Sequence, residues 1–424
     1  MMIIARLPLL RRLGMMIGGE AMQSGFHFAL NLVLVHNLPV HDYGIFALAM
    51  VMGGVGLSYV RSLTAIPAAG LIGRKAGRRC AYAHEITFSS AALVITIMIG
   101  CLAAALLNAW GGDGALAGGC FVALWSFRSH MRTCYFAHRQ QWLVTLSDLV
   151  FTLSGTLATG LVIWKFGSDL ESVFLALALA NLFGITILLA LSSRHLRISA
   201  RRSIRRRWIA SLGVLKWSAI GATTTNLQGQ CLSILVATLA SPTAYAPIAA
   251  IIVLFAPLRI ISTAFANMMQ SEVSGLLAKR NVPAIWAQAR IWTPLLGLGG
   301  LTYGAMVFAL IPHLSAETFR DPSIKFIAMF AWAIFFLAML YIMPRIILEM
   351  MGAFRTVALI TGGAALFSLV SIVALLSIAS PPWSLAGAAV SEALVGIASW
   401  RAIRRRLAAM RLPLARDNSM SVGS

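Results

Sequence analysis

Residues 36–73 read HNLPVHDYGIFALAMVMGGVGLSYVRSLTAIPAAGLIG. A short polar turn opens the stretch, a long apolar run follows, and a single arginine, Arg61, interrupts that run. A helix from Gly44 to Arg61 rises about 1.5 Å per residue, or roughly 25 Å, which places Arg61 within a hydrocarbon layer about 30 Å thick. A guanidinium at that depth costs at least a few kcal/mol unless it faces a partner or a wet cavity, so a lone intramembrane arginine is a candidate functional site.

The rest of the chain agrees with that reading. Its 424 residues are 59% hydrophobic and only 11% charged, against about 25% charged in soluble domains. Repeated apolar runs of about 20 residues make it an all-α polytopic membrane protein. The net charge of +21 would suggest nucleic-acid binding in a soluble chain. Here the basic loops of a membrane protein account for it, and no nucleic-acid partner is implied. The five cysteines show neither CxxC nor Cys/His metal spacing and read as small packing residues. Arg6, Arg11 and Arg12 precede the first apolar run, but that run passes Glu20 and His27 without a small-residue cleavage site, so it reads as a spanning helix.

Twelve spans can be drawn, at 14–36, 44–72, 86–107, 115–134, 142–164, 172–192, 213–239, 246–270, 290–312, 324–345, 355–379 and 384–401. Short turns such as LPVHDY and SPPW alternate with basic linkers such as FRSHMRTCYFAHRQQ and RIILEMMGAFR. Counted this way, 29 of the 34 Lys and Arg fall on the linker side and 3 on the turn side, which predicts both termini in the cytoplasm. Arg61 and Arg259 are the two that topology leaves over. The chain divides into an N-terminal six-helix lobe (1–192), a basic cytoplasmic linker (193–212), a C-terminal six-helix lobe (213–401) and a basic, disordered cytoplasmic tail (402–424). The linker reads equally as a solvated connection and as an amphipathic helix attracted to anionic lipid.

The halves echo each other. Each has a polar turn with a tyrosine after its first helix, Tyr43 in PVHDYG and Tyr245 in SPTAYA, and an arginine in its second helix. The distances from tyrosine to arginine differ by one helical turn, so Arg61 and Arg259 are expected on nearly the same face of equivalent helices. Six spans per half make the repeats parallel, a plan that places a site between two pseudo-symmetric lobes around a central cavity.

The segment LVHNLPVHDYGIFALAMVMGGVGLSYVRS resembles the helix 1–helix 2 region of bacterial polysaccharide-export and O-antigen flippases, with the family's Leu-x-x-x-x-Tyr-Gly turn. Those proteins belong to the multidrug/oligosaccharidyl-lipid/polysaccharide (MOP) exporter superfamily. CLSILVATLASPTAYAPIAAI and NMMQSEVSGLLAKRN resemble the family's helix 7–8 region and the loop after it. The resemblance implies V-shaped lobes, alternating access, and a cationic cavity that carries an undecaprenyl-pyrophosphate-linked oligosaccharide across the bacterial inner membrane for polysaccharide biosynthesis and export. Arg61 and Arg259 match positions where related flippases place cavity arginines on helices 2 and 8. The first helix departs from some relatives by carrying Glu20 where they place a basic residue. The implied partners are the lipid-linked oligosaccharide, membrane lipids and other membrane proteins of polysaccharide assembly.

Arginine suits a pyrophosphate because the guanidinium stays charged when desolvated and binds phosphate oxygens in pairs. Ion pairing with Glu20, Asp148 or Glu392 is the competing reading for either arginine. Gln23, His27 and Asn31 follow Glu20 at spacings of three or four, so the four share a helix face, and Asn226 and Gln230 do so in the seventh span. These polar residues suit saccharide hydroxyls or interhelical hydrogen bonds. Glu20, Asp148 and Glu392 are candidates for ion coupling. No GxxxxGK[ST], HExxH or GxSxG motif is present, so neither an enzyme, a cofactor nor a metal site is expected. Two alternatives stay open. A multidrug or cation antiporter of the same superfamily should show acidic cavity residues, and a membrane-embedded polysaccharide polymerase or ligase should show a large outer loop.

Overall fold

Every secondary-structure element among the described residues is helical. Long apolar segments require this in lipid, where each backbone N–H and C=O must find its partner within the segment or in a closed barrel. The structure, a computed structural model, describes residues 7–73, 78–138, 140–166, 169–191, 198–199 and 201–411.

The first half contains α1 (Leu7–Asn37), α2 (Val40–Val60), α3 (Ile66–Gly73), α4 (Arg78–Ala109), α5 (Ala115–Ala137), α6 (Gln141–Phe166) and α7 (Leu170–Ala190). The second contains α8 (Arg202–Leu239), α9 (Pro242–Ala278), α10 (Val282–Leu310), α11 (Ile324–Leu340), α12 (Ile342–Met350), α13 (Phe354–Ile378) and α14 (Ser384–Arg411). Several starts are set by local chemistry. Asp169 accepts a hydrogen bond from the Ser172 N–H at 2.9 Å, and Ser241 accepts one from the Ala244 N–H at 3.0 Å ahead of Pro242. Both satisfy backbone donors that the first turn of a helix leaves free.

The two halves pack by the same scheme. In the first, α1 lies on α6, α2 and α4 on α5, and α7 on both α5 and α6; in the second, α8 lies on α13, α9 and α10 on α11, and α14 on both α11 and α13. Helix for helix in chain order the schemes coincide, as a parallel repeat requires. The lobes meet where α2 packs against α8 and α9. At the end bearing the short turns, Gly44 lies so close to the Pro242 carbonyl that a side chain there would collide with it. The two tyrosine turns therefore come together at the seam, with Tyr43 and Tyr245 both buried. Toward the linker end the seam continues through Tyr59 Oη and Thr223 Oγ1, 2.8 Å apart, and through Ser218 Oγ, which donates to the Ser62 carbonyl at 2.9 Å.

Eight helical stretches among the described residues are long and apolar enough to cross a membrane. The long helices α1, α5, α8 and α14 fall outside that set. Three of them, α1, α5 and α8, line the cavity described below, so apolarity is lost where polar chemistry faces the interior.

Four boundaries differ from the sequence reading. The second span is not one α-helix: residues Arg61–Ala65 form a π-helical turn between α2 and α3. Pro67 has no N–H to bond the Leu63 carbonyl and crowds it, while Thr64 Oγ1 donates to the Val60 carbonyl at 2.6 Å and lies 3.0 Å from His130 Nδ1. The tenth span breaks at Tyr341 and continues as α12 to Met350, so Arg345 lies inside a helix and not in a solvated linker. The basic stretch 193–212 is helical from Arg202, with Ile204 buried and Arg205 and Arg206 exposed; Arg194 and Arg197 lie outside the described residues. Finally, α14 runs to Arg411, past the expected start of a disordered tail at 402, and residues 412–424 lie outside the described set.

Candidate functional site

Between the lobes lies a cavity of about 730 Å³. Its N-terminal-lobe wall carries Glu20 and Gln23 from α1, Arg61 from the π turn, and Arg128 and Arg132 from α5; its C-terminal-lobe wall carries Thr225 from α8 and Arg345 and Glu349 from α12. Arg61 sits where α2 widens, is exposed, and forms no ion pair among the described residues.

Behind the first wall is a buried ion cluster. Arg128 Nη2 donates to Asp148 Oδ1 at 2.5 Å, and Arg132 Nη2 donates to Asp148 Oδ2 at 2.9 Å and to Glu20 Oε1 at 3.0 Å. Asp148 on α6 has no accessible surface and Arg128 only 1%, whereas Glu20 is 60% exposed. The Arg128 guanidinium also lies 4.1 Å from the Phe151 ring centroid. Gly19 permits the crowding: a Cβ there would stand 2.5 Å from Asp148 Oδ2. One acid thus ties two arginines and draws α1, α5 and α6 together. Nε and Nη1 of Arg128 and Nε of Arg132 are buried without a hydrogen-bond partner among the described residues.

The opposite wall is simpler. Arg345 Nε donates to Glu349 Oε1 at 3.0 Å within one helix, and the two side chains are 40% and 24% exposed. Outside the cavity lining, Glu392 on α14 accepts from Tyr341 Oη at 2.5 Å and from Gln228 Nε2 at 3.1 Å. It is a neutral-donor cluster where the other lobe has ions.

The structure therefore gathers Glu20, Gln23 and Arg61 from the expected residues and leaves others elsewhere. Arg259 is exposed on α9 but is not among the residues lining the cavity. His27 is packed among Phe26, Trp125 and Phe151 at ring separations of 5.4, 5.0 and 5.7 Å. Asn31 is buried and donates to the His27 carbonyl at 2.7 Å, as an internal helix bond. Asn226 and Gln230 are half-buried on α8, and Gln230 faces Gly54 across the lobe seam. Asp148 pairs with Arg128 and Arg132, not with Arg61 or Arg259.

Counting charges by side missed Arg128, Arg132, Arg345 and Glu349. They lie near the linker ends of their helices, and the count assigned the three arginines to cytoplasmic linkers. A signal existed: Arg128 and Arg132 stand four apart, on one helix face, in a span that also had to be satisfied against Asp148. By the shared packing scheme α5 corresponds to α11 and its continuation α12. The arginines that face each other across the cavity on equivalent helices are therefore Arg128 and Arg132 with Arg345, and not Arg61 with Arg259.

By sequence the chain matches no protein-family profile, and none of the curated proteins compared with it is similar. Solved structures share its fold. An inward-facing multidrug resistance MATE family transporter of the MOP superfamily superimposes with a TM-score of 0.72 at 12% identity, covering 92% of this chain and 95% of that one. The eukaryotic MATE transporter AtDTX14 gives 0.65 at 16% identity, covering 96% and 98%. An outward-facing multidrug resistance MATE family transporter gives 0.57 at 12% identity, covering 94% and 95%. The chain is thus a multi-pass membrane protein with the two-lobed fold of MATE transporters.

Proposed function

We propose that this chain is a flippase that moves an undecaprenyl-pyrophosphate-linked oligosaccharide across the bacterial inner membrane by alternating access, for O-antigen or exopolysaccharide export. The observation that carries the reading is Arg61, an exposed guanidinium with no paired acid among the described residues, in a cavity that three further arginines line. Such a group favours a multiply charged phosphate headgroup and disfavours a cation. A volume of about 730 Å³ suits a diphosphate with its first sugars, within the roughly 300–1,000 Å³ of small-molecule sites. With the basic linkers in the cytoplasm, the arginines lie in the cytoplasmic half, where a substrate assembled on that side enters. Gln23 and Thr225 offer hydrogen bonds to saccharide, and the headgroup binds Arg61 with Arg128, Arg132 and Arg345 around it.

A second reading, multidrug extrusion, is favoured by the structural neighbours, whose described members are multidrug transporters. It calls for an acid free to meet a cation. Each cavity glutamate instead stands beside an arginine, Glu20 at Arg132 and Glu349 at Arg345, so a cation entering at either acid would meet a guanidinium.

In proteoliposomes loaded with a short-chain polyprenyl-diphosphate saccharide, Arg61→Gln should lower flipping at least tenfold, while Arg259→Gln stays within about twofold of wild type. Equal rates for wild type and Arg61→Gln would remove the headgroup role.

A further inference from the structure

Each wall of the cavity repeats one motif: an arginine held by a glutamate from the same lobe. In the N-terminal lobe Glu20 accepts from Arg132 at 3.0 Å; in the C-terminal lobe Glu349 accepts from Arg345 at 3.0 Å. Asp148 shows what a structural counter-ion looks like here. It has no accessible surface, and it binds both Arg128 and Arg132. Glu20 is different. It is 60% exposed, adds the second negative charge to a cluster in which Asp148 alone serves two arginines, and reaches Arg132 from another helix. The Arg345–Glu349 pair, 40% and 24% exposed, is of the kind that contributes only about 0–1 kcal/mol. Arg132 is itself only 9% exposed, but it keeps Asp148 when Glu20 leaves, so an incoming anion can displace either glutamate. Meanwhile Arg128, buried in the cavity wall, keeps two guanidinium nitrogens with no hydrogen-bond partner among the described residues.

We infer that Glu20 and Glu349 are internal stand-ins for the substrate's diphosphate, occupying Arg132 and Arg345 while the cavity is empty and giving way when the headgroup arrives. This rests on the anionic-substrate reading above and adds a regulatory element to the same site. The stand-ins lower the cavity's affinity for every phosphate by the few-fold that displacing them costs. A ligand that meets Arg61 and both lobes at once recovers that cost most fully. The arrangement ties occupancy to the relative position of the lobes, since each stand-in belongs to a different one.

The inference predicts a change of opposite sign from the one expected of a positioning residue. Inorganic pyrophosphate is titrated into the purified full-length protein in detergent by calorimetry, with a short polyprenyl diphosphate as second titrant to separate free anion from lipid headgroup. Glu20→Gln and Glu349→Gln should each tighten diphosphate binding by about two- to fivefold, with the double variant tighter still. Glu20→Asp separates contact from charge. It keeps the carboxylate but is one methylene too short for Arg132, so it should tighten binding as Glu20→Gln does. Weaker or unchanged affinity in the Gln variants would overturn the inference. So would a gain in Glu20→Gln that Glu20→Asp lacks, because that is net charge alone. If neither wild type nor any variant binds either diphosphate, the anionic-substrate reading itself fails.

Discussion

The helix α5 and its counterpart α11–α12 present arginines to one cavity from opposite lobes, yet they hold them differently. Arg128 and Arg132 are locked into a three-helix network centred on Asp148. Arg345 forms its ion pair with Glu349, one turn along its own helix and partly exposed. In the first lobe the charge is part of the architecture: removing the central acid strands two buried guanidiniums. In the second the helix breaks at Tyr341, and the exposed arginine is positioned by that break and by a neutral-donor cluster on Glu392. One lobe thus reads as a fixed anvil, and the other as the side whose geometry can change.

Three substitutions can break or sharpen this contrast. Asp148→Asn should have the largest effect, destabilising the protein by about 3–5 kcal/mol because it leaves buried charge uncompensated, read as a marked fall in thermal unfolding temperature in detergent. A shift no larger than that of an exposed-pair variant would mean that the network is not structural. Tyr341→Phe removes a carboxylate hydrogen bond and should cost roughly 1.5–3 kcal/mol. An accessible cysteine placed near Met350 should also label faster in this variant if Tyr341 sets the α11–α12 break; unchanged labelling would assign the break to the backbone alone. Glu349→Gln should shift stability least, by about 0.5 kcal/mol or less, as a partly exposed pair one helical turn apart does. A loss comparable to Asp148→Asn would erase the distinction between the lobes.

Much of the architecture was legible in the sequence because lipid imposes it. Apolar runs set the helices, the Lys/Arg bias separated linkers from turns, and the tyrosine turns announced a repeat whose two copies pack against each other at the seam. Arg61 was legible for the same reason: a lone charge deep in an apolar run has few places to go. The rest of the site was harder to read. Arg128, Arg132 and Arg345 stand within a few turns of helix ends, where a one-dimensional count cannot tell a buried guanidinium from a solvated one. Arg259 shows the converse. Its spacing from Tyr245 matches the pattern of Arg61 to within one helical turn, but no π turn widens α9 as the one at Arg61–Ala65 widens α2. That local break, which depends on Pro67, Thr64 and His130 from another helix, is a tertiary feature that spacing does not encode.

The central claim is that the cavity takes an anion. The most direct measurement is a side-by-side transport assay of the wild-type protein in one proteoliposome preparation, comparing a polyprenyl-diphosphate saccharide with a lipophilic cation such as ethidium. The account predicts flipping of the diphosphate, inhibited by excess polyprenyl diphosphate, with no accumulation or efflux of the cation above empty liposomes. Cation movement without diphosphate flipping would contradict it and establish the multidrug reading in its place.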